Sequence, residues 1–183
     1  HLQVFRKDMM TGEVRLASAS AAGAQGDGFV HPFDPDISLD GRFVCFTSDS
    51  TDLVAPATSG QEVFRKDMET GEVALVSANA AGVESNMGNG FPSCSGDGRY
   101  VSFYSEADNL LPGVPGGQVY RKDLVSGDIV LVSSDAVGNP ADFGSTYSSI
   151  SEDGRYVALQ SYATNLVGGD ANGKLDIFRK DLV

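Results

Sequence analysis

The chain has 183 residues, 41% of them apolar and 21% charged, a composition that suits one substantial domain and excludes both disorder and a coiled coil. A net charge of −12 argues against nucleic acid, which is held by a basic face. No apolar run approaches the roughly 20 residues that span a bilayer, so no membrane span is expected.

In chain order, the first predicted elements are two short strands, Val4–Met9 and Val14–Ala17, joined across Thr11-Gly12. A glycine-rich loop, Gly23–Pro35, leads into a short strand ending at Ile37-Ser38. Asp40-Gly41 then turns the chain into a longer strand, Arg42–Ser48. Asp-Gly between apolar runs is a strong hairpin signal, because its turn needs positive φ at both central positions. A second loop precedes the strand containing Arg65-Lys66-Asp67, and Thr70-Gly71 joins that strand to the one beginning at Val73.

The pattern then repeats. VFRKDMMTGEV at Val4 returns at Val63, Val119 and Ile177, with its aromatic at Phe5, Phe64, Tyr120 and Phe178, in steps of 59, 56 and 58 residues. The Asp-Gly hairpin runs in step, at Asp40, Asp97 and Asp153, and its longer strands are Arg42–Ser48, Arg99–Ser105 and Arg155–Ser161. No segment carries a capped 3.6-residue apolar period, so the chain reads as all-β. Four antiparallel strands every 56 to 59 residues describe a β-propeller blade. The repeats run approximately over residues 1–17 (a partial blade), 33–77, 90–133 and 147–183, within a single domain of residues 1–183.

With Pro-x-Ile-Ser-x-Asp-Gly-Arg-Tyr-Val-Ala-Phe-x-Ser and then Thr-Asn-Leu-Val-x-Gly-Asp-x-Asn-Gly-x-x-Asp-Ile-Phe-Arg-Lys-Asp-Leu, the repeat resembles the WD-like β-propeller repeats of the TolB type. The third unit fits this pattern most fully, although Ser148 stands where Pro35 and Pro92 stand in the others. The resemblance implies a propeller that binds protein or a ligand, and a periplasmic or extracellular location. About three blades fall short of the four to eight that close a ring. Two readings follow: a piece of a longer propeller, or a head-to-tail homodimer making a ring of about six blades.

Eight of the 13 basic residues lie in Arg-Lys-Asp copies and three more in Asp-Gly-Arg copies, so positive charge belongs to the framework. The Arg and Asp of Arg-Lys-Asp project to one face and are expected to pair between neighbouring blades. The loops are acidic or neutral and favour cations or cationic partners. Asp170-Ala-Asn-Gly-Lys-Leu-Asp176 spaces oxygen ligands as a Ca²⁺ loop does, with side chains from Asp170, Asn172 and Asp176 and the carbonyl of Lys174. An Asx-type turn would use the same residue types.

The loops entering the innermost strands bring Asp27, Asp34, Glu84, Asn86, Asn89 and Asp142 to one rim, the expected binding surface. The aromatics Phe29, Phe33, Phe91, Phe143 and Tyr147 of these loops read as wedges between blades. Cys45 and Cys94 read as separate, buried, inert thiols, since two cysteines make no disulfide framework. Only His1 and His31 could serve as histidine bases, and no nucleophile elbow, His-Glu-x-x-His or Cys-x-x-Cys occurs. The favoured reading is a non-enzymatic binding or scaffold module acting through its rim. The alternative is the propeller portion of a secreted polysaccharide- or peptide-cleaving enzyme.

Overall fold

A computed structural model describes residues 2–31, 35–170 and 172–183. Every regular element among them is a β-strand, and no helix is long and apolar enough to cross a membrane. The strands β1 (Phe5–Lys7) and β2 (Val14–Leu16) form a two-stranded sheet. β3 (Asp36–Ile37), β4 (Phe43–Ser48), β5 (Glu62–Asp67) and β6 (Val73–Leu75) form a four-stranded antiparallel sheet in chain order. β7 (Asn89–Cys94), β8 (Tyr100–Ser105), β9 (Gln118–Asp123) and β10 (Ile129–Leu131) repeat it. β11 (Ser145–Ile150), β12 (Tyr156–Ser161) and β13 (Asp176–Asp181) repeat its first three strands. The three long strands expected after Asp-Gly are all present, each starting at the aromatic that follows the arginine.

The cores lie between blades. Cys45 and Val63 of one sheet pack with Val101, Phe103 and Tyr120 of the next, and Val119 packs with Val157 and Leu159 of the third. This follows from period-2 alternation on strands whose two faces are both covered. The inner strands are also bonded to one another. Cys94 N donates to Asp36 Oδ2 at 2.7 Å, and Ile150 N donates to Ser93 Oγ at 3.3 Å.

Arg-Lys-Asp divides its three charges among three places, which corrects the expected Arg–Asp pairing between neighbours. The aspartate pairs within its own blade, with the arginine of Asp-Gly-Arg: Arg42–Asp67, Arg99–Asp123 and Arg155–Asp181, at 2.7, 2.7 and 2.8 Å. These hydrogen-bonded guanidinium groups hold the three carboxylates below their usual range. The arginine reaches forward instead, and Arg6, Arg65 and Arg121 Nη1 donate to the Gly41, Gly98 and Gly154 carbonyls of the next blade. The lysine reaches back. Lys122 Nζ donates to the Ala78 and Asn79 carbonyls of the preceding blade and to Gly127 of its own, at 3.0, 2.9 and 2.7 Å, and Lys66 repeats the arrangement. Burial lowers the affinity of both ammonium groups for their protons, and three acceptors each offset that cost.

The same joint explains the turn glycines. Gly98 has φ +66°, and a Cβ there would lie 2.2 Å from the Phe43 ring; Gly154, with φ +72°, stands in the same relation to Tyr100. Phe43 and Tyr100 are the inter-blade wedges, each also flanked by two arginines, Arg42 with Arg65 and Arg99 with Arg121.

The cysteines are not separate thiols. Cys45 on β4 and Cys94 on β7 form a disulfide between adjacent blades. Comparing equivalent strands assigns the two residues to different slots, but β7 packs against β4 of the preceding blade, so the two slots face each other.

Candidate functional site at the mouth of the inner strands

Several expected rim residues tie neighbouring loops together. Asp27 accepts from Thr51 N and Oγ1, each at 2.8 Å. Asp142 does the same with Thr164, and Asn86 exchanges bonds with Asp108 and Asn109. These three occupy equivalent places and clamp the loop entering each inner strand to the loop between the second and third strands. Glu84 accepts from Ser59 N and Oγ at 3.0 and 2.7 Å, again a loop-to-loop tie. Asp34 and Phe33 lie outside the described residues.

In the loop before β13, Asp170, Asn172 and Asp176 line one groove of about 700 Å³. Asn172 Nδ2 donates to Asp176 Oδ2 at 2.8 Å, and Asn172 Oδ1 accepts from Lys174 N at 2.6 Å, the geometry of an Asx turn. Asp176 also stands at the repeat position of Gln3, Glu62 and Gln118, whose side chains accept from Ser18, Ser77 and Ser133. Among the described residues no group of three His, Cys, Asp or Glu side chains is placed to hold a metal.

The loop aromatics are not inter-blade wedges as a class. Phe29, Phe143 and Tyr147 are exposed. Phe91 and Tyr147 sit at bulges in β7 and β11 with positive φ, 54° and 42°, a strained conformation for aromatic residues. Their rings meet across the two inner strands with centroids 4.2 Å apart, and Tyr104 lies 6.3 Å from Phe91 on its other side.

Beside this pair lies a cavity of about 230 Å³ lined by His31, Gln61, Asn89, Phe91, Tyr104 and Glu106. Among the described residues, Asn89 is the one rim residue from the sequence reading that lines it. Its Nδ2 is surrounded by Gln61 O, Glu62 Oε2, Ser85 Oγ and Met87 O, at 2.8, 3.1, 2.5 and 3.0 Å. That ring of acceptors fixes the amide orientation and leaves Oδ1 buried without a partner, a cost of about 1–3 kcal/mol. Glu106 is held by its backbone, with N donating to Gly88 O at 2.9 Å. Gly116 packs so closely that a Cβ would lie 2.1 Å from the Glu106 carbonyl oxygen.

Tyr104 and Glu106 escaped the sequence reading, yet a signal for them existed. Thr47 and Gln160 occupy the place of Tyr104 in the other blades, and Asp49 and Tyr162 that of Glu106. Val30 and Ser145 pair where Asn89 pairs. Departures from the repeat converge on this cavity.

No family model and no curated protein matches the chain. Among solved structures, TolB from Acinetobacter baumannii aligns over 98% of this chain with a TM-score of 0.54 and 18% identity. The fold is that of a TolB-like β-propeller. A prolyl endopeptidase structure aligns over 98% of the chain (TM-score 0.55, 13% identity), and the tricorn protease over 94% (0.54, 14%). The chain covers only 35%, 24% and 14% of the TolB, endopeptidase and tricorn chains. At these identities the likeness of the TolB-like propeller to each of them is one of fold, which hosts many functions.

Proposed function

We propose that the chain is a non-enzymatic binding module that takes a protein or small ligand at the mouth where β5 and β9 begin and β8 ends. The observation that carries this reading is the cavity walled by Phe91 and Tyr104, where Asn89, Tyr104 and Glu106, residues that depart from the repeat, come together. Rigid strands hold the aromatic walls, and backbone strain at Phe91 is a cost that binding sites commonly retain. Replacing Tyr104 with Leu and Phe91 with Ala, and testing each variant for retained partner from periplasmic or secreted extract, decides the matter. Both variants should lose what the wild type retains, and equal retention by all three overturns it.

His31 and Glu106 share the cavity, which favours the alternative of a cleaving enzyme's propeller portion. Acid–base work by that pair would make Glu106→Gln abolish turnover of a peptide or polysaccharide substrate. The Cys45–Cys94 disulfide supports a periplasmic or extracellular setting, where such bonds persist. Ca²⁺ binding by Asp170, Asn172, Lys174 and Asp176 requires the Asn172–Asp176 hydrogen bond to open, and calorimetry on the wild type and Asp176→Ala tests it. A homodimer is supported by the Tyr156–Arg179 face, where Arg155 and Arg179 already flank the ring as at each joint between blades. Light scattering at micromolar concentration should give twice the chain mass, and a stable monomer defeats it.

A further inference from the structure

We infer that the ligand group entering the mouth cavity is an organic cation, an alkylammonium or guanidinium; this rests on the binding reading above and names its chemistry. Gln61 Nε2 gives one of its two N–H groups to Asn89 O at 2.5 Å, and the two N–H groups of Asn89 Nδ2 face four acceptors. Tyr104 Oη lies 3.3 Å from Glu106 Oε1, with the hydroxyl donating. The Glu106 carboxylate is the charged group that the described lining offers, beside the neutral Gln61 amide and the His31 imidazole. A donor group that carries positive charge complements that carboxylate.

The walls agree with the polar atoms. Phe91 and Tyr104 are aromatic walls of the cavity, and an aromatic ring attracts a cation held over its face. The basic residues of Arg-Lys-Asp and Asp-Gly-Arg are committed to joints and ion pairs around the Asp-Gly turns, at the opposite strand ends from the cavity. Among the described lining residues there is no lysine or arginine to offset Glu106 against an anion. About 230 Å³ is room for seven or eight waters at about 30 Å³ each, which suits an inserted amine-bearing or guanidinium side chain rather than a peptide backbone. Blades with Thr47 or Gln160 for Tyr104, and Val30 or Ser145 for Asn89, lack this lining.

The test is an NMR titration of the whole chain with butylammonium, ethylguanidinium, a short peptide with one central lysine, and the same peptide with norleucine. The cations and the lysine peptide should shift the amides of Asn89, Phe91 and Glu106, and the norleucine peptide should not. Glu106→Gln, an exposed change that leaves the rest of the spectrum in place, should weaken binding tenfold or more. Tighter binding of the lysine peptide than of butylammonium identifies a partner protein's side chain as the source, and the reverse identifies a free amine. Equal affinity for the norleucine peptide, or unchanged affinity in Glu106→Gln, overturns the cation. If only neutral probes shift these amides, the binding site stands and its proposed chemistry fails; if no probe shifts them, both fail.

Discussion

Glu62 should make this propeller less stable as pH rises, and Glu62→Gln should remove that dependence. Its carboxyl is buried at the start of β5, and burial pushes its pKa from 4.5 up to about 8, although hydrogen bonds from Ser77 and Ser85 oppose the shift. In that window the native chain holds a proton at Glu62 that the unfolded chain has released. The contribution of Glu62 is therefore complete below pH 4.5 and falls until about pH 8, at about 1.4 kcal/mol per pH unit, for a ceiling of about 5 kcal/mol. The neighbouring blades show what the variant would do. Gln3 and Gln118 stand at the same position and accept from Ser18 and Ser133 at 2.5 and 2.6 Å. Urea unfolding of both proteins between about pH 5 and about pH 8 would measure the gap. It should open in favour of Glu62→Gln as pH rises, and a gap that stays constant across the window would refute the assignment of a protonated Glu62.

The joints give further expectations. Gly98→Ala places a Cβ 2.2 Å from the Phe43 ring and should cost several kcal/mol, whereas Gly12→Ala, with φ +81° and open space around it, should cost about 1 kcal/mol of backbone strain; equal losses in denaturant would remove the packing argument. Lys122→Met leaves the Ala78, Asn79 and Gly127 carbonyls without their shared donor and should lower unfolding stability by about 2–3 kcal/mol. Reducing Cys45–Cys94, which spans 49 residues, should lower it by about 2–4 kcal/mol, read as a drop in Tm on adding reductant that Cys94→Ser reproduces without it.

The fold was legible because it is written several times. Asp-Gly at Asp40, Asp97 and Asp153 and the Arg-Lys-Asp strands mark two hairpins per unit, and repetition turns weak local signals into one architecture. What stayed hidden lies between blades. Alternation along β4 and β7 says that Cys45 and Cys94 are buried, but it does not say that the two faces meet in a disulfide. The Arg and Asp of Arg-Lys-Asp were expected to pair between neighbours, yet their partners are a carbonyl of the next blade and an arginine of their own, whose positions depend on how the sheets stack.

The rim was the hardest part, for a reason visible at Asp27, Asn86 and Asp142. Polar residues in glycine-rich loops look like ligands, yet a loop must also satisfy its own backbone, and these three do so by clamping Thr51, Asp108 and Thr164. A residue that recurs at one place in every blade is explained by what every blade needs. Asn89, Tyr104 and Glu106 break the repeat and share one cavity, and Asn89 keeps a buried acceptor unpaired. The framework gains nothing from that unpaired acceptor, since Val30 and Ser145 fill the same place in the other blades. In a repeat protein the informative comparison is thus internal: subtracting one blade from the next removes the shared scaffold, and the residues that remain are those the scaffold does not require.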